Sequence, residues 1–236
     1  MRKLLLIWLL CLPSYASLVH STAVAATCSP TCTLPIPSTG AGNLLVLIPV
    51  PAGSSLFSTA SVSGGGTWVG GSGTCFAGDN VGTTTTEMWY VLNSTGSTTS
   101  ISVTLNYSNT QSFVVNEYHG SGTWHINGAC SILTAQAATV TPTTAAISSS
   151  VGDLIVSAIA HAGIGYGAGT VSAITCSGWT SPVLYQGGGV AVIQDLNSSG
   201  GTCQASTPAF VSGSFGAVSL DFTNSAVTTV RHRVIQ

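Results

Sequence analysis

Gly42-Asn43-Leu44-Leu45-Val46 returns 110 residues later as Gly152-Asp153-Leu154-Ile155-Val156. Each stretch opens on a glycine and a short polar side chain, then enters an aliphatic run. Glycine ahead of such a run marks a turn feeding a strand. Leu44–Val50 (LLVLIPV) has no polar residue, which suits a central strand covered on both faces. Three further echoes follow in the same order. Gly66-Thr67-Trp68 returns as Ser177-Gly178-Trp179, 111 residues on. Asn93-Ser94-Thr95-Gly96 returns as Asn197-Ser198-Ser199-Gly200, and Val115-Asn116-Glu117-Tyr118 as Ser219-Leu220-Asp221-Phe222, both 104 on. Four matches in one order at nearly one offset indicate an internal duplication. A repeat this long makes two domains or two halves of one sandwich, not a solenoid. The expected division is a signal peptide over 1–26, a first repeat over 27–135 and a second over 136–236.

The remaining pattern is also strand. Ile101, Val103 and Leu105 alternate with Ser102, Thr104 and Asn106, the period of a half-buried strand. Further strands are expected over Glu87–Leu92, Gln111–Tyr118, Leu154–Ala160, Val171–Cys176, Val190–Leu196 and Ala217–Phe222. Thr139–Ser150, polar and carrying Pro142, reads as linker mixed with the first strand of the second repeat. Asn/Ser/Gly clusters between them are turn chemistry. No segment has helical periodicity with caps. The expected class is an all-β antiparallel sandwich, jelly-roll or immunoglobulin-like, internally duplicated.

Met1-Arg2-Lys3 followed by the apolar Leu4–Leu12 and then small residues has the layout of a secretory leader, with cleavage expected after Ala25 or Ala26. Nine apolar residues are too few to span a bilayer, and no membrane span is expected once the leader is removed. Beyond it the chain has no lysine, and its only basic residues are Arg231 and Arg233 against six acids, a net charge of −4. Without a basic surface, nucleic acid is not an expected partner. Six cysteines remain: Cys28, Cys32, Cys75, Cys130, Cys176 and Cys203. An even number in an exported chain indicates disulfides, with 15 pairings open to six cysteines. Cys176–Cys203 is favoured because both lie in one repeat, and a loop of about 28 residues is worth ~3.5 kcal/mol of chain entropy. Cys28–Cys32 and Cys75–Cys130 complete the expected set.

The order GNLLV, GTW, WYVLN-STG and VVNEYHG, then GDLIV, SGW, DLNSSG and SLDF, resembles exported bacterial tandem-repeat β-sandwich proteins of uncharacterised function. The likeness covers about residues 36–224. It implies the fold and says little of activity, because its motifs are structural. The second repeat departs from it: Ile193-Gln194 stand where the first has Trp89-Tyr90, and Asp221 stands for Glu117.

Catalytic material is sparse. Glu87 and Glu117 are the sharpest pair, since glycosidases use two carboxyls across a cleft, about 5 Å apart in retaining enzymes. Their plainer reading is a structural acid repeated as Asp221 (Glu117) and a lone charge on a strand face (Glu87). His119 and His125 flank Trp124, but His-x5-His is not a ligand pattern, and no metal or cofactor is expected. Gly64-Gly65-Gly66 and Gly187-Gly188-Gly189 lack the lysine and strand–helix setting of a phosphate loop. Trp124 and Tyr166, with neighbours that are mostly Gly, Ser and His, are the aromatics expected to be exposed, and with His125 they are the candidate ligand-binding residues. Trp68, Trp89 and Trp179 read as core anchors.

A surface of Ser, Thr, Gly and Asn with little charge permits self-association, and its strand edges have no lysine to protect them. The expected function is a non-catalytic structural or adhesive protein of the cell exterior that assembles with itself as filament or surface layer. The alternatives are a carbohydrate-binding module for extracellular polysaccharide and a glycoside hydrolase.

Overall fold

A computed structural model describes residues 15–50, 58–71, 73–78, 85–161, 171–185, 190–208 and 212–225. Its named elements are all strands. The first half contains β1 (Ser17–Cys28), β2 (Thr31–Pro35), β3 (Leu44–Val50), β4 (Thr59–Ser63), β5 (Val69–Gly70), β6 (Phe76–Gly78), β7 (Thr85–Glu87), β8 (Trp89–Val91), β9 (Ser100–Leu105) and β10 (Asn109–His119). The second contains β11 (Thr123–Ile126), β12 (Ser131–Thr139), β13 (Ile147–Val151), β14 (Leu154–His161), β15 (Ser172–Thr175), β16 (Trp179–Tyr185), β17 (Val190–Leu196), β18 (Ser199–Ser206) and β19 (Gly213–Ser225).

The duplication is realised in the large and small sheets of the two halves, while the two-stranded β6–β7 sheet belongs to the first half alone. The large sheet of the first half runs β1-β10-β3-β8-β5, and that of the second runs β12-β19-β14-β17-β16, with β11 beside β12 on the same flank of β19. The small sheets run β2-β9-β4 and β13-β18-β15. All pairings are antiparallel, and the registers coincide. Leu44 faces Tyr118 as Leu154 faces Phe222. Val46 faces Tyr90 as Val156 faces Gln194. The turns match too. Gly42 N–H donates to the Ser94 carbonyl as Gly152 N–H donates to that of Ser198, both at 2.8 Å. These two glycines have φ of 78° and 90°, the left-handed region in which a Cβ is strained.

Period-two burial then builds four layers. On β3, Leu44, Val46, Ile48 and Val50 face one core, while Leu47 faces another. On β14, Leu154, Val156, Ala158 and Ala160 meet the first set across the same core, while Ile155 and Ile159 turn away. The two large sheets therefore pack on each other through a shared centre. There Tyr90 meets Phe222 edge to face, with ring centroids 5.6 Å apart. Leu34, Ile101, Val103 and Leu105 of one small sheet close the outer core of the first half. Ile147, Cys203 and Ala205 of the other close that of the second. The expectation that Leu44–Val50 is covered on both faces holds because its sheet lies between two others.

The disulfides are Cys28–Cys32, Cys75–Cys130 and Cys176–Cys203, the three expected pairs. Cys75–Cys130 joins the residue before β6, which pairs with β7 in a two-stranded sheet of the first half, to the residue before β12 on the large sheet of the second. The chain crosses from β10 into the second sheet between Gly120 and Gly122, and the expected boundary after residue 135 falls inside β12. Thr139–Ser150 holds the last residue of β12 and most of β13. The expected cleavage points after Ala25 and Ala26 both fall inside β1, which pairs with β10 from His20–Glu117 to Cys28–Asn109 without a register shift. Tyr166, Gly187–Gly189, Arg231 and Arg233 lie outside the described residues.

Candidate functional site

Glu117 sits near one end of β10 and is 3 % exposed. Its Oε1 accepts from Gly40 N–H at 2.7 Å and from Asn43 Nδ2 at 2.5 Å. His20 on the neighbouring edge strand brings Nε2 to 4.0 Å from Oε2. His119 Nδ1 lies 3.0 Å from Asn43 Oδ1 and extends the chain of contacts. The carboxyl thus ties β10, the β2–β3 turn and β1. The recess beside it, walled by His20, Thr22, Ile36, Thr39 and Leu45, has a volume of about 10 Å³. That admits about one water molecule and no sugar.

The counterpart in the second half is built from other side chains. Asp221 replaces Glu117 and Asp153 replaces Asn43. Asn127, just after β11, donates from Nδ2 to Asp221 Oδ2 at 2.9 Å and to Asp153 Oδ2 at 3.3 Å. Ser149 Oγ donates to Asp221 Oδ1 at 3.3 Å, and Ser150 N–H to Asp153 Oδ2 at 2.9 Å. Burial, and then the neighbouring Asp153 carboxylate, push Asp221 up to about 7. Asn127 faces the acid from the flanking segment, as His20 does in the first half.

Glu87 is 1 % exposed, on β7. Its Oε1 accepts from Thr59 N–H at 2.7 Å, which ties β7 to β4 of the small sheet. Burial raises its carboxyl to about 7, opposed by Thr59 and Trp89. Glu87 and Glu117 are not brought together. Glu117 is in register with Leu45 and Val91. Glu87 lies four residues before Val91, roughly 13 Å away along the strand direction at ~3.3 Å per residue. Glycosidase carboxyls stand between about 5 and 9.5 Å apart.

Trp124 corrects the expectation of an exposed ring. It is 1 % exposed and belongs to the shared central core. Asn93 clamps its backbone, accepting from Trp124 N–H at 3.1 Å and donating to its carbonyl at 3.4 Å. Small neighbours in sequence say nothing about a sheet from the other half lying over the ring. His125, next to it, is exposed, facing Thr223 across the β11–β19 pair. Among the described residues no group of three or more His, Cys, Asp or Glu is placed to hold a metal ion. Trp68 and Trp179 are half-buried and buried, and both indoles donate to the carbonyl four residues back, Gly64 at 2.6 Å and Thr175 at 3.0 Å. Trp89 is half-buried against the outer core of the first half.

One open cleft of about 290 Å³ lies against β8, lined by Thr67, Val69, Tyr90, Val91, Leu92 and Asn93. It has an aromatic edge, a hydroxyl and an amide, and no ionisable group besides the Tyr90 phenol. Sequence reasoning did not single it out, since β5 and β8 meet only through folding. Comparison with known proteins finds no family model that matches the chain, no similar curated protein and no similar solved structure.

Proposed function

We propose that this is an exported, non-catalytic structural or adhesive protein of the cell exterior that associates with itself, akin to the exported tandem-repeat sandwich proteins its motifs resemble. One observation carries the reading. The described acids with assigned contacts, Glu87, Glu117, Asp153 and Asp221, are buried and engaged by backbone N–H, amide and hydroxyl donors that join strands, with Glu87 held through Oε1 while its Oε2 has no hydrogen-bond partner. What is left outside is a Ser/Thr/Gly surface with little charge to keep copies apart. Three intramolecular disulfides fit an oxidising compartment.

The leader boundary that agrees with β1 is after Ala16. Ser14-Tyr15-Ala16 puts small residues at the first and third positions before the cut, four residues past the apolar run Leu4–Leu12. That cut retains Ser17–Cys28. Sedimentation velocity of the exported protein over a wide concentration range tests the assembly. Concentration-dependent association is expected, and a strict monomer contradicts the reading.

The cleft against β8 favours a second reading, a module for neutral polysaccharide. Retention on insoluble cellulose or chitin that is lost in Val69→Asp, at the exposed rim, would establish it.

A further inference from the structure

Resting on the self-associating reading, we infer that β1 is the surface through which two copies join, each adding its β1 antiparallel to the other's. Sheet edges attract strands of other chains unless they are short, charged, interrupted by proline or bent by a bulge. The described edges of this molecule use these devices along their whole length at every place but one. On the large sheets, β5 has two residues. The β16 edge carries Pro182 and a register shift between Thr180 and Val183. Pairing of β12 is broken twice, between Leu133 and Gln136 and between Gln136 and Thr139. On the small sheets, β2 has five residues and ends in Pro35, and β13 has five. Both β4 and β15 carry a shift within five and four residues.

Strand β1 carries only one of them, a register shift between Leu18 and His20 at its start, and leaves the nine residues from His20 to Cys28 unprotected. It is 12 residues long, has no proline and no Asp, Glu, Lys or Arg, and pairs without a shift from His20 onward. No strand is paired to its outer side among the described residues. Its faces suit a partner as well as its backbone does. Val24 and Ala26 pack at the margin of the first half's outer core, so a strand laid beside them continues an existing apolar layer. Ala23 and Ala25 on the other face are exposed and small, and leave a flat approach. The occupant the geometry fits is a second copy of β1. Two identical antiparallel strands meet by a two-fold axis, each residue's contact being reciprocated, and the interface closes on itself. The two large sheets of the first halves become one ten-stranded sheet, five strands from each copy.

The test is sedimentation velocity on the exported full-length product, wild type against Ala23→Lys/Ala25→Lys. Both positions are exposed, and across the two-fold axis four like charges are forced together. Association is expected to weaken at least tenfold, while Val151→Lys, on the 80 % exposed end of β13, leaves it unchanged. Mixing the lysine variant with Ala23→Glu/Ala25→Glu is expected to restore association, a rescue that damage to the fold cannot produce. Equal association of wild type and lysine variant overturns β1 as the interface and leaves self-association standing. A wild type that remains monomeric at every concentration overturns both.

Discussion

The two halves share a backbone plan and differ in what fixes it. Both place a left-handed glycine before the central strand, at Gly42 and Gly152, and both return a hydrogen bond from Ser94 or Ser198 to the next residue's carbonyl. Both set an acid near the end of the strand beside it. In the first half that acid, Glu117, meets the amide of Asn43 on the turn and the imidazole of His20 on the edge strand. In the second, the turn residue has become an acid, Asp153, and the amide has moved to Asn127 in the flanking segment. One plan therefore tolerates two arrangements of donors and acceptors, provided each buried carboxyl keeps its partners. The halves also differ in what lines the outer flank of the strand carrying the acid. β1 is long and pairs without a shift from His20 onward, whereas β11 and β12 divide the same flank of β19 between them.

The sharpest way to break this comparison is to ask whether the halves are separate at all. Phe222 belongs to the second half but fills the shared core against Tyr90 of the first. Phe222→Ala is expected to cost about 4 kcal/mol, as for other buried phenylalanines, and to leave one unfolding transition in calorimetry. Two resolved transitions would show halves that fold independently.

The disulfides separate the halves next. Cys176→Ala/Cys203→Ala removes a cross-link between residues 27 apart, worth ~3.5 kcal/mol of chain entropy. Cys28→Ala/Cys32→Ala removes one between residues 4 apart, worth only ~2 kcal/mol. Urea midpoints should fall in that order.

Each half also contains one buried acid held up to about 7, Glu87 in the first and Asp221 in the second. A carboxyl raised in the folded state binds its proton more tightly there than when unfolded. Stability from both acids is therefore greatest below the ordinary carboxylate range and is lost as pH rises from about 4 to 7. Asp153→Asn rebuilds the amide–carboxylate pair of the first half and removes the repulsion on Asp221. It should recover on the order of 2 kcal/mol at pH 7 and little at pH 4, after allowance for solvent screening. Urea titrations at the two pH values check this, and adding Glu87→Gln should flatten the slope further, leaving the part that burial of Asp221 maintains. A variant with the wild-type pH slope would show that the Asp153–Asp221 repulsion is not felt.

The smallest effect should be equal in the two halves. A Cβ at Gly42 or Gly152 meets no atom within 4 Å, so alanine there adds only backbone strain. About 1 kcal/mol is expected for each, read as matching shifts in thermal midpoint.

Much of this fold was legible because two signals were local. The apolar runs that form β3 and β14 and the alternation in β9 are read directly from residue order. The offsets of 104 to 111 residues foretell a common register, and Leu44–Tyr118 and Leu154–Phe222 obey it. Strand β1 was not legible, since Ala, Val, Ser and Thr serve a leader's last residues and an uncharged edge strand equally well. Short strands such as β5 and β6 have too few residues to show a period. The acid clusters were half legible. Glu117 and Asp221 were recognised as counterparts, but their partners at positions 20, 43 and 127 are set by sheet pairing, which no local spacing reveals. Trp124 failed for the same reason, because its cover comes from the shared core.

The most direct test is the intact mass and N-terminal sequence of the exported protein. A chain beginning at Ser17 is predicted, which keeps β1 on β10 and gives the first half the flank that β11 and β12 give the second. A chain beginning at Ala26 or Thr27 would contradict it, since β10 would then stand bare and the two halves would no longer share one plan.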